Sequence, residues 1–96
     1  MSSFDFEAAD WLSRQLVQLA AKIEWFAWLR DQQQKKMLGT SDSDNWQGSR
    51  RQQFDDKFSG EQAALGQLAQ AARQLKSNVD TAIGEAHAEA QRKRHH

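Results

Sequence analysis

The sequence predicts an all-α protein, an antiparallel two-helix hairpin that forms a four-helix bundle as a dimer. Three observations predict it. Fourteen Ala, thirteen Gln and no Pro among 96 residues favour long, uninterrupted helices. Apolar residues recur at alternating steps of four and three, not at the strand period of two. Leu, Ile, Val and Phe together supply only 17 of the 96 residues, and a short chain with so few buries them well by sharing a core with a partner. Thirteen basic and thirteen acidic residues cancel, so the high net charge that marks disordered chains is missing.

The first helix is expected over about residues 6–38. Ser3 or Asp5 can cap its start by accepting from free backbone amides. Its seam reads Leu12, Leu16, Leu19, Ile23 and Phe26, all within about 80° of arc at 100° per residue. Beyond Phe26 the seam weakens, and Gln32 to Lys36 read as a solvated helix end whose lysines suit the negative C-terminal dipole. Residues 39–47 hold the one dense turn cluster of the chain, with Gly39 placed to end the helix. Asp44 and Gln47 offer a capping-box-like start to the second helix, expected over about residues 48–92. A flexible basic tail, 93–96, follows.

The seam of the second helix is read as Phe54, Phe58, Leu65, Leu68, Ala72, Leu75 and Val79, then Ala82 or Ile83 and Ala86. Gly60, Gly66 and Gly84 interrupt it as tolerated glycines or as points of close helix approach. Arg30 and Glu61 also fall in seam positions, near each other across the hairpin. The simpler expectation is that each snorkels to solvent; the alternative is a partly buried pair that fixes register.

Trp11, Trp25, Trp28 and Leu29 lie outside the seam arc of the first helix. One hairpin has one seam to bury, so these residues are expected to form a partner interface, where Trp is enriched among hot spots. A second hairpin covering that face makes the four-helix bundle.

The turn ends in Trp46-Gln47-Gly48, and Phe54 follows eight residues after the Trp. An indole at the bend can cap the open end of a bundle, and the glycine lets the chain turn sharply. With this motif mid-chain between two amphipathic helices, the whole chain resembles the WXG family, the small early-secreted-antigen-like proteins of Gram-positive bacteria. That resemblance implies head-to-tail pairing with another WXG-like hairpin. It also implies export in the folded state by a type VII secretion system, whose ATPase the dimer would engage. The family's export signal, a Tyr followed four residues later by an acid, is absent, because the chain has no Tyr. Either a partner carries the signal, or this chain is a non-exported relative acting as partner or chaperone, and both favour a heterodimer over a homodimer.

Other classes find no support in the residues. Zero Cys removes disulfides and thiol chemistry. His87 has Glu85 and Glu89 nearby, but i and i+2 residues point to different helix faces, so no metal is expected there. Asp55-Asp56 after Arg50-Arg51 reads as a salt-linked solvated face. No phosphate loop or activated nucleophile is visible, so no enzyme activity and no cofactor are expected. Neutral charge argues against nucleic acid, and no apolar run suits stable membrane insertion. The acidic N-terminus lacks a classical signal peptide, so secretion without one, or a cytoplasmic location before export, is expected. A cytosolic helical adaptor unrelated to secretion is the competing reading.

Overall fold

A computed structural model describes residues 3–38 and 49–94. Two helices, α1 (Phe6–Leu38) and α2 (Ser49–Arg94), account for all of these except Ser3, Phe4 and Asp5. The fold is an all-α hairpin. The turn motif residues Trp46 and Gly48 lie outside the described residues, as do Gly39, Asp44 and Gln47. Of the two candidate caps, Asp5 serves α1. Its Oδ1 accepts the Ala8 amide at 3.0 Å, and its carbonyl accepts the Ala9 amide. Lys93 and Arg94, expected in a flexible tail, instead continue α2, with Lys93 3.9 Å from Glu89 one turn back. Basic residues close both helices, where they complement the C-terminal dipole.

Exposed pairs one turn apart support each helix by a few tenths of a kcal/mol apiece. Examples are Asp10–Arg14 at 3.2 Å, Asp31–Lys35 at 3.1 Å and Arg51–Asp55 at 3.8 Å. The last puts the expected salt link on the Arg50–Asp56 segment.

The hairpin core is narrow and built from small side chains. Leu16, Ala20, Ala69 and Ala72 are buried, with Ile23 and Val79 packed against them. Ser13 is buried beside them, and Ala20 is wholly enclosed. This corrects the expected seam. Leu16, Ile23, Phe58, Leu65 and Val79 lie on it or are partly covered by it. Leu12, Leu19, Phe26, Leu68 and Leu75 do not, each keeping 40–58 % of its surface exposed.

The reason is geometric. Interaxial distance follows the size of the side chains at the contact. Alanines at 20, 69 and 72 allow the helices to close along their own line. The larger residues one position earlier, Leu19 beside Ala20 and Leu68 beside Ala69, are thereby rotated about 100° out of the contact. Gly60, Gly66 and Gly84 do not mark close approach either, since a Cβ at each would meet open space.

Candidate interaction surface

The two sides of the seam differ in chemistry, and the cross-hairpin contacts fix which residues share a side. Arg73 pairs with Glu24 across the hairpin. Each of these residues directly follows a seam residue, Ala72 and Ile23. Leu12, Leu19 and Phe26 on α1, and Leu68 and Leu75 on α2, each precede a seam position. They therefore lie together on the opposite side from the Arg73–Glu24 pair. The seven-residue spacings 12–19–26 and 68–75 keep each set on one line along its helix.

Further contacts set the register. The Ser13 hydroxyl donates to Asp80 Oδ1 at 2.6 Å, and Gln62 Nε2 donates to the Ala27 carbonyl at 2.8 Å. In this register Leu19 stands near Leu75 and Phe26 near Leu68. The result is an apolar flank running along one side of the hairpin.

At its turn-proximal end the flank gives way to charge. Arg30 Nη2 lies 2.7 Å from Glu61 Oε1, with side-chain exposures of 24 % and 46 %, and the guanidinium sits 5.0 Å above the Phe58 ring. The partly buried pair therefore forms, and the expectation of two independently snorkelling side chains is corrected. The aromatic ring covers one face of the guanidinium, and the cation attracts both ring and carboxylate. Phe54, half-buried, stacks on Phe58 with ring centroids 6.3 Å apart. These rings and Met37 line a shallow groove of about 290 Å³.

The polar side of the seam is satisfied internally except at Gln62, whose Oε1 is buried without a hydrogen-bond partner. Asp80 accepts from Ser13 and also from Lys76, one turn earlier. These hydrogen bonds, with Lys76 first, hold the Asp80 carboxyl below its usual value. At the open end of the hairpin Phe6 stacks on His87 with centroids 4.2 Å apart, and Phe4 meets Phe6 edge-on. His87 is thus an aromatic packing partner. Among the described residues no three His, Cys, Asp or Glu converge in a way that would hold a metal ion.

Of the four residues expected at a partner interface, Trp11, Trp25 and Trp28 expose 56–61 % of their surface, while Leu29 is half-buried. Trp11, Trp25 and Leu29 occupy the outward face of α1, distinct from the flank, while Trp28, which directly follows the seam position Ala27, is turned toward the polar side. The chain therefore carries two apolar surfaces, one shared by both helices and one belonging to α1 alone. The flank residues were visible in the sequence as apolar positions but were assigned to the seam. Ser13, Ala20, Ala69 and Asp80 were missed. Ala72 was read on the seam and is buried; following the four-and-three spacing through the other small residues, 13–16–20–23 and 65–69–72–76–79, would have found three of the four.

Comparison with protein-family models, with curated proteins and with solved structures gives no match to this chain.

Proposed function

We propose that this chain is a non-enzymatic, WXG-like interaction protein that serves a bacterial type VII secretion system as substrate or as partner and chaperone. It works by pairing with a second helical hairpin to make a four-helix bundle, and the dimer engages the secretion ATPase. The observation that carries the pairing is the apolar flank. Among the described residues four apolar side chains are buried, while Leu12, Leu19, Phe26, Leu68 and Leu75 stay on one open side.

The area is sufficient. The 33 residues of α1 extend about 50 Å, and the hairpin is 19 Å wide. Its side thus offers on the order of 900 Å² to a partner, compared with about 800 Å² per side in a standard stable interface. The secretion context rests on the resemblance carried by Trp46, Gly48 and Phe54. The missing Tyr favours a heterodimer whose other chain bears the export signal.

Two measurements test this reading. Sedimentation of the purified chain over a dilution series reads pairing. A helical dimer of twice 11.0 kDa means that the hairpin pairs with a second copy, and a monomer directs the search to a different hairpin. Assay of culture supernatant, with and without an intact secretion system, reads export. Retention in the cell while a Tyr-bearing partner leaves alone refutes the export role, and the chain is then an intracellular helical adaptor.

A further inference from the structure

We infer that the turn-proximal third of the hairpin opens as a unit while the alanine seam stays closed. The inference is independent of pairing and of secretion, because it concerns the contact between the two helices of one chain. The lines of residues that make this contact change chemistry along their length. On α1 one line runs from Ala20 through Ala27 to Gln34, and its neighbour runs from Leu16 through Ile23 to Arg30. On α2 a line runs from Ala69 back through Gln62 to Asp55. Seven-residue spacing keeps each line turned toward the other helix. The polar side chains therefore take up, near the turn, the same contact that alanines close further along.

Burial follows the chemistry. Leu16, Ala20, Ala69 and Ala72 are buried, whereas no described residue over 27–37 or 49–65 is. Two enclosed side-chain oxygens, Asp55 Oδ1 and Gln62 Oε1, have no hydrogen-bond partner, and they are the only such atoms among the described residues. Both lie at the turn-proximal end. Each forgoes in the closed hairpin a hydrogen bond that water restores on opening, which favours the open state by roughly tenfold apiece.

The contact at this end is also thin. The groove of about 290 Å³ opens on the flank side and a second, of about 530 Å³, on the polar side, and Gln34 and Phe58 line both. These two side chains are the wall between the grooves. Polar contacts hold the wall closed. Arg30 pairs with Glu61 at 2.7 Å and lies over the Phe58 ring, and Gln62 Nε2 donates to the Ala27 carbonyl. A partly exposed ion pair is weakened by salt, whereas a contact between buried alanines carries no charge to screen. The hairpin is thus a clasp, with a fixed middle and an end whose polar latch, once released, uncovers the Phe58 ring.

Amide hydrogen exchange of the full chain, at concentrations where it is monomeric, tests the opening. Residues 27–36 and 53–64 should exchange faster than 13–23 and 69–79, share one dependence on urea, and speed up further in high salt. Asp55→Leu/Gln62→Leu removes both orphaned oxygens and extends the apolar seam toward the turn. It should slow exchange in both turn-proximal segments by up to about a hundredfold, toward the rate of the alanine seam. That slowing must include residues 27–36, which carry no substitution. Glu61→Gln removes the latch charge without touching the seam. It should speed exchange at this end about twofold and blunt its salt response, leaving 13–23 and 69–79 unchanged. Equal protection along the whole hairpin overturns the inference. So does a double variant that leaves residues 27–36 exchanging as before, because each helix would then fray by itself.

Discussion

The seam and the flank run side by side along the same two helices, yet of the two only the seam contains alanines. The seam holds Ala20, Ala69 and Ala72 with Leu16, Ile23 and Val79; the flank holds Leu12, Leu19, Phe26, Leu68 and Leu75. Small residues let two helices close on each other, so they set the fold. The large residues left outside have transfer free energy still to gain, at roughly 25 cal/mol per Å² of apolar surface, from any partner that covers them. The difference separates the residues that hold the hairpin together from those the hairpin leaves open.

The sharpest way to break this comparison is to overfill the seam. Ala20 is wholly enclosed, so Ala20→Leu should destabilise the hairpin by about 1–3 kcal/mol. Leu19→Ala, one residue away on the flank, should change the stability of the monomer far less. Thermal unfolding followed by circular dichroism at concentrations where the chain is monomeric compares the two. Equal losses would mean that the seam runs through Leu19 after all.

Next in size is the flank itself. Leu19→Ser/Leu75→Ser should weaken hairpin pairing by about 2 kcal/mol, near thirtyfold in Kd, while helix content is kept. Sedimentation equilibrium reads the first and circular dichroism the second. Unchanged association would move the interface to another side of the hairpin.

A smaller effect is expected where the flank ends in charge. Arg30→Ala should cost about 1 kcal/mol, from loss of both the Glu61 pair and the stacking on Phe58. A double-mutant cycle with Glu61→Ala isolates the ion pair, with an expected coupling of about 0.5 kcal/mol or slightly more. Zero coupling would leave register to the apolar seam alone.

Gly66 precedes Gln67 on the exposed part of α2, and a Cβ there meets open space. Gly66→Ala should stabilise the chain by up to about 1 kcal/mol, through helix propensity and a less flexible unfolded chain. Destabilisation measured by urea unfolding would show that something packs against this glycine.

The smallest effect is a pH dependence. Asp80 has its carboxyl pKa lowered in the folded chain by Lys76 and Ser13. A lowered folded value means that the contribution to stability is present above the unfolded pKa of about 3.8. It is lost as pH falls through the still lower folded value. Asp80→Asn should therefore flatten the acid limb of the stability curve below about pH 4 and leave its slope near neutrality unchanged.

The sequence by itself determined the fold class. Fourteen alanines, the absence of proline and the four-and-three spacing leave no other regular structure for segments of this length. Asp5 was legible as a cap because only a short acceptor side chain can reach the free amides there. Trp11, Trp25 and Trp28 were legible as off the seam, because 100° per residue carries them away from Leu16 and Ile23. Helical spacing, however, leaves two adjacent stripes, 12–19–26 and 13–20–27, on neighbouring lines. Side-chain size within one helix does not say which stripe the other helix will meet. That choice depends on what α2 brings to the contact. Alanines at 69 and 72 opposite Ala20 allow a close approach that leucine on both sides would prevent. Whether Arg30 snorkelled or paired was likewise decided in three dimensions, because Glu61 and the Phe58 ring are thirty-one and twenty-eight residues away along the chain. Only the register of the hairpin puts them within reach.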